Sequence, residues 1–157
     1  MTDQSEDHAI ARLEPLIGEW RMDPVFPSTS PIDTTEAHGA ARAVFEWLAG
    51  QQFLVQRWEV PHPAAPDGIA VIGFDRAKGT YLQHYFDSRG VARLYEMSFA
   101  EGVWKLWRTA ADFSPLNFSQ RYTGTLSDDG ATIRGAWETS SDGSTWEHDF
   151  ELVYTRI

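Results

Sequence analysis

The chain has 157 residues, of which 42% are hydrophobic, and it contains no cysteine. A chain of this length buries roughly two-thirds of its unfolded surface, so it needs neither disulfides nor a structural metal to fold. The lack of cysteine excludes disulfide frameworks, cysteine-ligated zinc, iron–sulfur clusters and thiol nucleophiles. We expect one domain over residues 1–157, with residues 1–7 frayed.

Acidic residues outnumber basic residues by 23 to 13, which gives a formal net charge of −10. The basic residues are dispersed along the chain, so they do not form the patch that a phosphate backbone or an anionic membrane would need. The first residues show no secretory pattern, and no apolar run approaches the ~20 residues that span a bilayer. We therefore expect a cytoplasmic protein that binds neither nucleic acid nor membranes, and homodimerisation stays open.

The chain begins with a helical pattern and then changes to strands. Apolar residues recur at helical spacing from Ala9 to Ile17, which predicts a short helix that ends near Pro15 and Gly18. The two longest loops are predicted at 26–34 and 61–66. The predicted strands are 19–23, 35–47, 52–60, 68–75, 80–87, 91–99, 103–108, 117–126, 132–139 and 146–156.

About ten strands at roughly 8–12-residue spacing, joined mostly by short turns, must run antiparallel to their neighbours. A meander of this size either closes into a barrel or folds into two packed sheets. A flat sheet covered by helices is excluded because the sequence contains no second helix long enough to cover it.

The last three predicted strands alternate between an aromatic face and a charged or hydroxylated face, which indicates burial on one side. The penultimate strand places Trp137 on the inner face, and the strand before it places Gln120 and Tyr122 there. The predicted inner face of the last strand consists of Trp146, His148, Phe150, Leu152 and Tyr154.

Two features at the ends of the chain belong together. Gly18-Glu19-Trp20 follows the predicted helix and opens the first strand, and Arg156 ends the last strand. This arrangement resembles the lipocalin-type (calycin) signature, in which a cation from the final strand covers a Gly-x-Trp tryptophan at the closed end of the barrel. A guanidinium over an indole face contributes ~0.5–2 kcal/mol and joins the first strand to the last. The resemblance implies an all-β, up-and-down antiparallel lipocalin-like barrel with a short N-terminal helix.

The centre of the chain is similar to the central hairpin of an uncharacterised bacterial lipocalin-like family. This resemblance implies a fold and a cavity but no reaction. The residues that carry it are Gly73-Phe74-Asp75, Lys78, Tyr81, Tyr85 and Asp87-Ser88.

More distantly, the chain is similar to nitrobindin-like proteins, which are calycin-type barrels that bind haem through a histidine near the C-terminus. That resemblance would make His148 the haem ligand. The family continues its Gly-x-Trp start with further glycines, whereas this chain continues with Arg21-Met22-Asp23-Pro24.

Two histidines are candidate site residues because both fall on apolar faces. His148 lies between Trp146 and Phe150 on its face, so it is interpreted as a hydrogen-bonded core histidine, a pocket residue or a haem ligand. Alternation also turns His84 inward, although Tyr81, Gln83 and Tyr85 form an almost equally good inner face.

The remaining candidate ligand-binding residues are aromatic or carry a polar tip on an inward face. The seven tryptophans exceed what a packed small barrel needs, which favours a cavity for an apolar or planar molecule. No metal-binding, serine-hydrolase or nucleotide-binding motif appears. These remaining candidates are Trp137, Gln120, Tyr122 and Tyr95.

The first functional hypothesis is the binding or carriage of a small hydrophobic, aromatic molecule in the barrel, with no cofactor, no metal and no catalytic residue assigned. The alternatives are a haem protein with His148 as ligand, or a small-metabolite enzyme that uses His84 and His148 as acid and base. A third hypothesis is a structural barrel whose exposed strand pairs with a partner.

Overall fold

The computed structural model describes residues 4–27 and 40–157, with side chains from residue 8 onward. The described residues form an α-helix, a 3₁₀ turn at Glu14–Leu16, and ten strands. None of the helices in this part of the chain is long and apolar enough to cross a bilayer. The helix and strands are α1 (Gln4–Ala11), β1 (Gly18–Val25), β2 (Ala41–Trp47), β3 (Leu54–Glu59), β4 (Gly68–Asp75), β5 (Thr80–Asp87), β6 (Ala92–Ala100), β7 (Val103–Arg108), β8 (Ser119–Leu126), β9 (Thr132–Ser140) and β10 (Glu147–Arg156).

The ten strands form a closed barrel in which each strand pairs antiparallel with its neighbours along the chain. β1 closes the barrel by pairing with both β2 and β10. The predicted fold class, an up-and-down antiparallel barrel with a short N-terminal helix, is therefore confirmed. Because each described strand is paired on both sides, the barrel does not offer the exposed strand that the structural hypothesis required.

The strand boundaries follow the turn residues of the sequence closely. β4, β5 and β7 begin and end where they were predicted. The predicted loop residues 28–34 and the predicted strand residues 35–39 lie outside the described residues.

The contact between Trp20 and Arg156 joins the two ends of the chain as predicted. The two residues are directly paired across β1 and β10, and the guanidinium carbon of Arg156 lies 4.1 Å from the centre of a Trp20 ring. The same guanidinium donates hydrogen bonds to the carbonyl oxygens of Ile17 at 2.6 Å, Pro15 at 2.8 Å and Gly130 at 3.1 Å. We call this end of the barrel, which α1 and the 3₁₀ turn cover, the closed end.

Gly18 is required at the closed end for two reasons. Its φ of +132° is rarely adopted by residues with a side chain, and a Cβ atom there would lie 2.5 Å from Nη1 of Arg156. The glycine of the Gly-x-Trp motif therefore makes room for the cation that covers the tryptophan.

The barrel interior is packed at the closed end and hollow at the other. The packed half also anchors α1, since the Tyr81 hydroxyl donates a hydrogen bond to the Ala9 carbonyl oxygen. Eight of the fully buried side chains lie in the packed half, and none of these eight lines the hollow half. They are Leu13, Leu16, Trp20, Phe45, Leu54, Ile72, Met97 and Ile133.

Candidate functional site

The hollow half of the barrel contains a cavity of about 660 Å³. Trp104 borders it on the side of the packed half, and residues of the predicted 61–66 loop border its mouth together with Phe26. Much of the wall is aromatic, and the rings contact one another: Trp58 stacks on Tyr85 at 5.3 Å, and Tyr95 meets Trp137 edge to face at 5.6 Å. The cavity thus offers flat apolar walls to whatever enters it.

Four of the predicted site residues lie together in this cavity. Trp137, Gln120, Tyr122 and Tyr95 all line its wall. The Tyr122 ring occupies space that Gly135 leaves free, because a Cβ atom on Gly135 would collide with that ring. The inward faces predicted for β8 and for the centre of β9 are therefore correct.

Gln120 is held in one orientation by two hydrogen bonds. Its Oε1 accepts a bond from Nη1 of Arg93 at 2.8 Å and another from the Tyr95 hydroxyl at 2.9 Å. Since both partners are donors, they identify Oε1 as the acceptor end of the amide. The Nε2 group of Gln120 makes no hydrogen bond to the described residues, so its two N–H donors are available at the cavity.

His148 does not face the cavity, and its predicted inward orientation is wrong. Its side chain is exposed and does not belong to the lining. The reason is a β-bulge, since His148 pairs with Glu138 while Phe150, two residues later, pairs with Trp137. The extra residue reverses the alternation, so that Phe150 remains inward and His148 turns outward.

Trp146 changes sides for the same reason. The guanidinium carbon of Arg121 lies 4.1 Å from the centre of the Trp146 ring. Arg121 also forms a bidentate ion pair with Glu138, with N···O distances of 2.9 and 3.0 Å. Arg121 is absent from the cavity lining. The predicted inner face of the last strand is thus correct for Phe150 and the inner residues after it, but wrong before the bulge.

His84 also faces outward, so the slight preference for its inward orientation is wrong. The other face of β5 supplies Gln83 and Tyr85 to the cavity. The outer face carries Leu82 and Phe86 beside His84, and the ring centre of Phe113 lies 6.5 Å from that of His84 and 6.4 Å from that of Phe86. Both faces of β5 therefore carry apolar side chains, and periodicity alone could not distinguish them.

Haem ligation by histidine would require an imidazole in the cavity. His8, His62, His84 and His148 lie in the described residues, and none of these four lines the cavity. The described residues therefore do not fit a histidine-ligated haem at this site, nor an acid–base pair of inward histidines. Within the same residues, no group of three or more metal-ligating side chains occurs.

Arg93 is a cavity residue that the sequence analysis missed. It lies two positions before Tyr95 on β6, so alternation could have placed it on the inner face. Besides its bond to Gln120, its guanidinium lies 5.6 Å from the ring centre of Phe118. No carboxylate among the described residues pairs with it. The neighbouring cavity arginine, Arg89, differs because it is bound to Asp87 at 2.7 Å.

Two acidic residues on β10 line the cavity, and the bulge explains their position. Asp149 and Glu147 lie on the face that simple alternation assigned to the outside. Burial raises the pKa of Asp149, and the nearby His148 acts in the opposite direction. The bulge could not be read from the sequence, and no signal there identified these carboxylates.

A buried ion pair holds the loop after β7 beside the mouth. Arg108 and Asp112, whose side chains are 3% and 4% exposed, form two hydrogen bonds of 2.8 Å. Asp112 also accepts a bond from the Leu94 backbone N–H at 2.8 Å. The hydrogen bond from Arg108 holds the pKa of Asp112 well below its usual value despite burial. The pair therefore stays ionised and satisfied at neutral pH.

Two buried polar atoms of the cavity lining have no hydrogen-bond partner. They are Oε1 of Gln83 and Nε1 of Trp104, on side chains that belong to residues only 3% and 2% exposed. Leaving such a group unpaired costs about 1–3 kcal/mol. One of these atoms is an acceptor and the other a donor, and both are enclosed by neighbouring side chains of the wall rather than open to the cavity.

Comparison with known proteins identifies the fold. The barrel is similar to the crystal structure of Rv2717c from M. tuberculosis, with a TM-score of 0.60 and 14% sequence identity, over 95% of this chain and 97% of that chain. No family model matches the sequence, and no curated protein matches it. The barrel of this chain, closed by ten antiparallel strands, therefore shares its fold with Rv2717c.

Proposed function

We propose that the protein binds a small, mainly apolar and aromatic molecule inside the barrel, as a binding or carrier protein. The observation that carries the proposal is the cavity of about 660 Å³ with its aromatic wall. Ligand pockets in proteins commonly have volumes of about 300–1,000 Å³ and are lined by apolar side chains with a few polar groups. Both properties are present in the hollow half.

The affinity for such a molecule would come mainly from the apolar surface that it buries. Each square ångström removed from water contributes roughly 25 cal/mol. The Trp58–Tyr85 stack and the Tyr95–Trp137 pair supply flat surfaces against which an aromatic ring can pack. The Nε2 group of Gln120, whose N–H donors have no partner among the described residues, would orient it by donating a hydrogen bond to a polar atom of the ligand.

Titration with N-phenyl-1-naphthylamine, a neutral aromatic probe that fluoresces in apolar surroundings, tests this proposal. We expect saturable binding at one site per chain. Ala41→Phe, which fills part of the cavity, should weaken binding by about tenfold or more, because the probe loses space and buried area. Circular dichroism would verify that the variant folds, and Trp137→Ala provides a second cavity variant.

The matched control changes an aromatic residue on the outer surface. Phe113 is 61% exposed and could attract an apolar probe without any cavity. Phe113→Ser should leave the affinity unchanged if the probe binds inside the barrel. No saturable binding, or binding that Phe113→Ser removes and Ala41→Phe does not, would overturn the proposal.

Mass spectrometry of the natively purified protein would identify the natural ligand. We expect a small aromatic or apolar molecule that is released on denaturation and that the Ala41→Phe variant does not retain. A molecule retained equally by both proteins would lie outside the cavity and would contradict the assignment.

A further inference from the structure

The arginines of the described residues show how unusual the environment of Arg93 is. Most of the described guanidinium groups that contact another side chain form an ion pair with a carboxylate. Examples are the pairs Arg89–Asp87 and Arg108–Asp112. Arg156 instead donates to three backbone carbonyl oxygens at the closed end. Arg93 lines the cavity and has a neutral amide oxygen as its hydrogen-bond acceptor. It therefore brings a positive charge to the cavity that no described carboxylate neutralises.

The surroundings of Arg93 fix its position. One N–H group is bound to Oε1 of Gln120, and the Phe118 ring lies 5.6 Å from the guanidinium carbon. These contacts leave most of its five N–H donors without a protein acceptor. The side chain is thus placed for a planar anionic group, which a guanidinium binds through two parallel hydrogen bonds.

Gln120 adds neutral donors next to this charge. Because its Oε1 accepts from both Arg93 and the Tyr95 hydroxyl, its Nε2 group is the end left for a guest molecule. An oxygen atom that accepts from Nε2 of Gln120 would lie beside the guanidinium of Arg93. Arg93 and Gln120 together present N–H donors and a positive charge, and the remaining donors of both side chains have no acceptor among the described residues.

The other charged side chains near the cavity, among the residues that the structure describes, do not neutralise this position. Asp87 is bound to Arg89 and Asp112 to Arg108. The carboxylates of Glu147 and Asp149, which form no ion pair with another described residue, lie on β10. Around the barrel, β7, β8 and β9 separate β10 from β6. Among the described residues, charge at the mouth is therefore divided, with the positive side on β6 and the negative side on β10.

We propose that the ligand carries a carboxylate, which binds the guanidinium of Arg93 and the side-chain amide of Gln120, while its aromatic body occupies the cavity. This inference rests on the proposed function and specifies its ligand class as small aromatic carboxylic acids. The overall charge of −10 repels anions at long range, so the binding of an anionic ligand depends on its local attraction to Arg93.

Isothermal titration calorimetry with 1-naphthaleneacetate and 1-naphthaleneacetamide tests this inference, because the two compounds differ little except in charge. At physiological salt, we expect the wild-type protein to bind the acid about tenfold or more tighter than the amide, since hydrogen bonds to charged groups are the stronger ones. Arg93→Gln should remove this preference by weakening the acid alone. Arg93→Lys, which keeps the charge but not the planar fork, should retain part of it.

Arg134→Gln is the matched control, because it removes the same charge from an exposed residue that does not line the cavity. It should leave the preference for the acid unchanged. If the acid binds no tighter than the amide, or if Arg93→Gln keeps the preference, the inference is overturned while binding of N-phenyl-1-naphthylamine leaves the proposed function intact. If neither that probe nor either naphthalene compound binds, the proposed function fails, and this inference fails with it.

Discussion

The closed end and the mouth of the barrel use the same kinds of side chain in opposite ways. At the closed end, Trp20 donates its indole N–H to the Leu16 carbonyl oxygen, and Arg156 distributes its donors over three carbonyl oxygens. In the hollow half, the indole N–H of Trp104 has no partner, and Arg93 retains free donors. Satisfied polar groups stabilise the fold, whereas donors that are free and open to the cavity, as on Arg93, are available to a ligand. The closed end therefore stabilises the barrel, and the hollow half is the part that can bind a ligand.

Removing one aromatic ring from each half should give the largest difference in the free energy of unfolding between the two halves. Trp20→Ala should lower the free energy of unfolding by ~3–5 kcal/mol, because it empties a fully packed site. Trp137→Ala should cost less than half as much, because that ring already borders a cavity, yet it should weaken probe binding. Urea denaturation monitored by circular dichroism measures both values. Equal losses would mean that the two halves are packed alike.

The Arg108–Asp112 pair tests whether the loop beside the mouth depends on a buried charge pair. Asp112→Asn should destabilise the protein by ~3 kcal/mol at pH 7, because it leaves the Arg108 charge buried without its partner. The amide keeps the shape of the carboxylate, so packing stays comparable. Denaturation at neutral pH checks this value, and a loss below about 1 kcal/mol would show that the pair is not needed there.

The same pair makes a prediction about acid. The pKa of Asp112 in the folded protein lies below its ordinary value of 3.8, so its contribution to stability is complete only well above that value. It is lost as the pH falls from about 5 toward the folded pKa. The stability difference between the wild type and Asp112→Asn should therefore shrink below about pH 4. A difference that stays constant down to pH 2 would contradict the assignment.

An unsatisfied polar atom predicts a stabilising substitution. Gln83→Met removes the buried Oε1 that has no partner and should raise the free energy of unfolding of the empty protein by about 1 kcal/mol. Gln120→Met is the matched control, since its Oε1 accepts two hydrogen bonds, and it should lower that energy by about 1–3 kcal/mol. If both variants are destabilised equally, Oε1 of Gln83 is hydrogen-bonded in the folded protein and the prediction is wrong.

The smallest expected effect concerns His148. Because the bulge turns this residue outward, His148→Ala should change the affinity for N-phenyl-1-naphthylamine by no more than about twofold, as expected of a surface substitution. Fluorescence titration measures this value. A tenfold loss of affinity would show that His148 belongs to the binding site and would contradict its outward orientation.

The sequence was sufficient to predict most of the fold. Turn residues marked the strand ends, and the pairing of Gly18-Glu19-Trp20 with Arg156 predicted closure because one contact joins the first and last strands. The candidate site was predictable where strands are regular, as for Gln120 and Tyr122 on β8. It failed at His148 because one extra residue inverts the alternation. It failed at His84 because Leu82 and Phe86 make the outer face of β5 apolar as well. Arg93 was overlooked although alternation with Tyr95 placed it inside.

Two alanines on β2 allow the most direct test of a packed half beside a hollow half. Ala41 and Ala43 lie two residues apart on the same inward face, and both belong to the buried core with 0% exposure, but Ala41 also lines the cavity and Ala43 does not. The free energies of unfolding of Ala41→Leu and Ala43→Leu, measured in urea, provide the comparison. We predict that Ala43→Leu loses ~1–3 kcal/mol through overpacking, while Ala41→Leu loses nothing or gains up to ~1 kcal/mol. Equal destabilisation of the two variants would show that the barrel is filled throughout and has no room for a ligand.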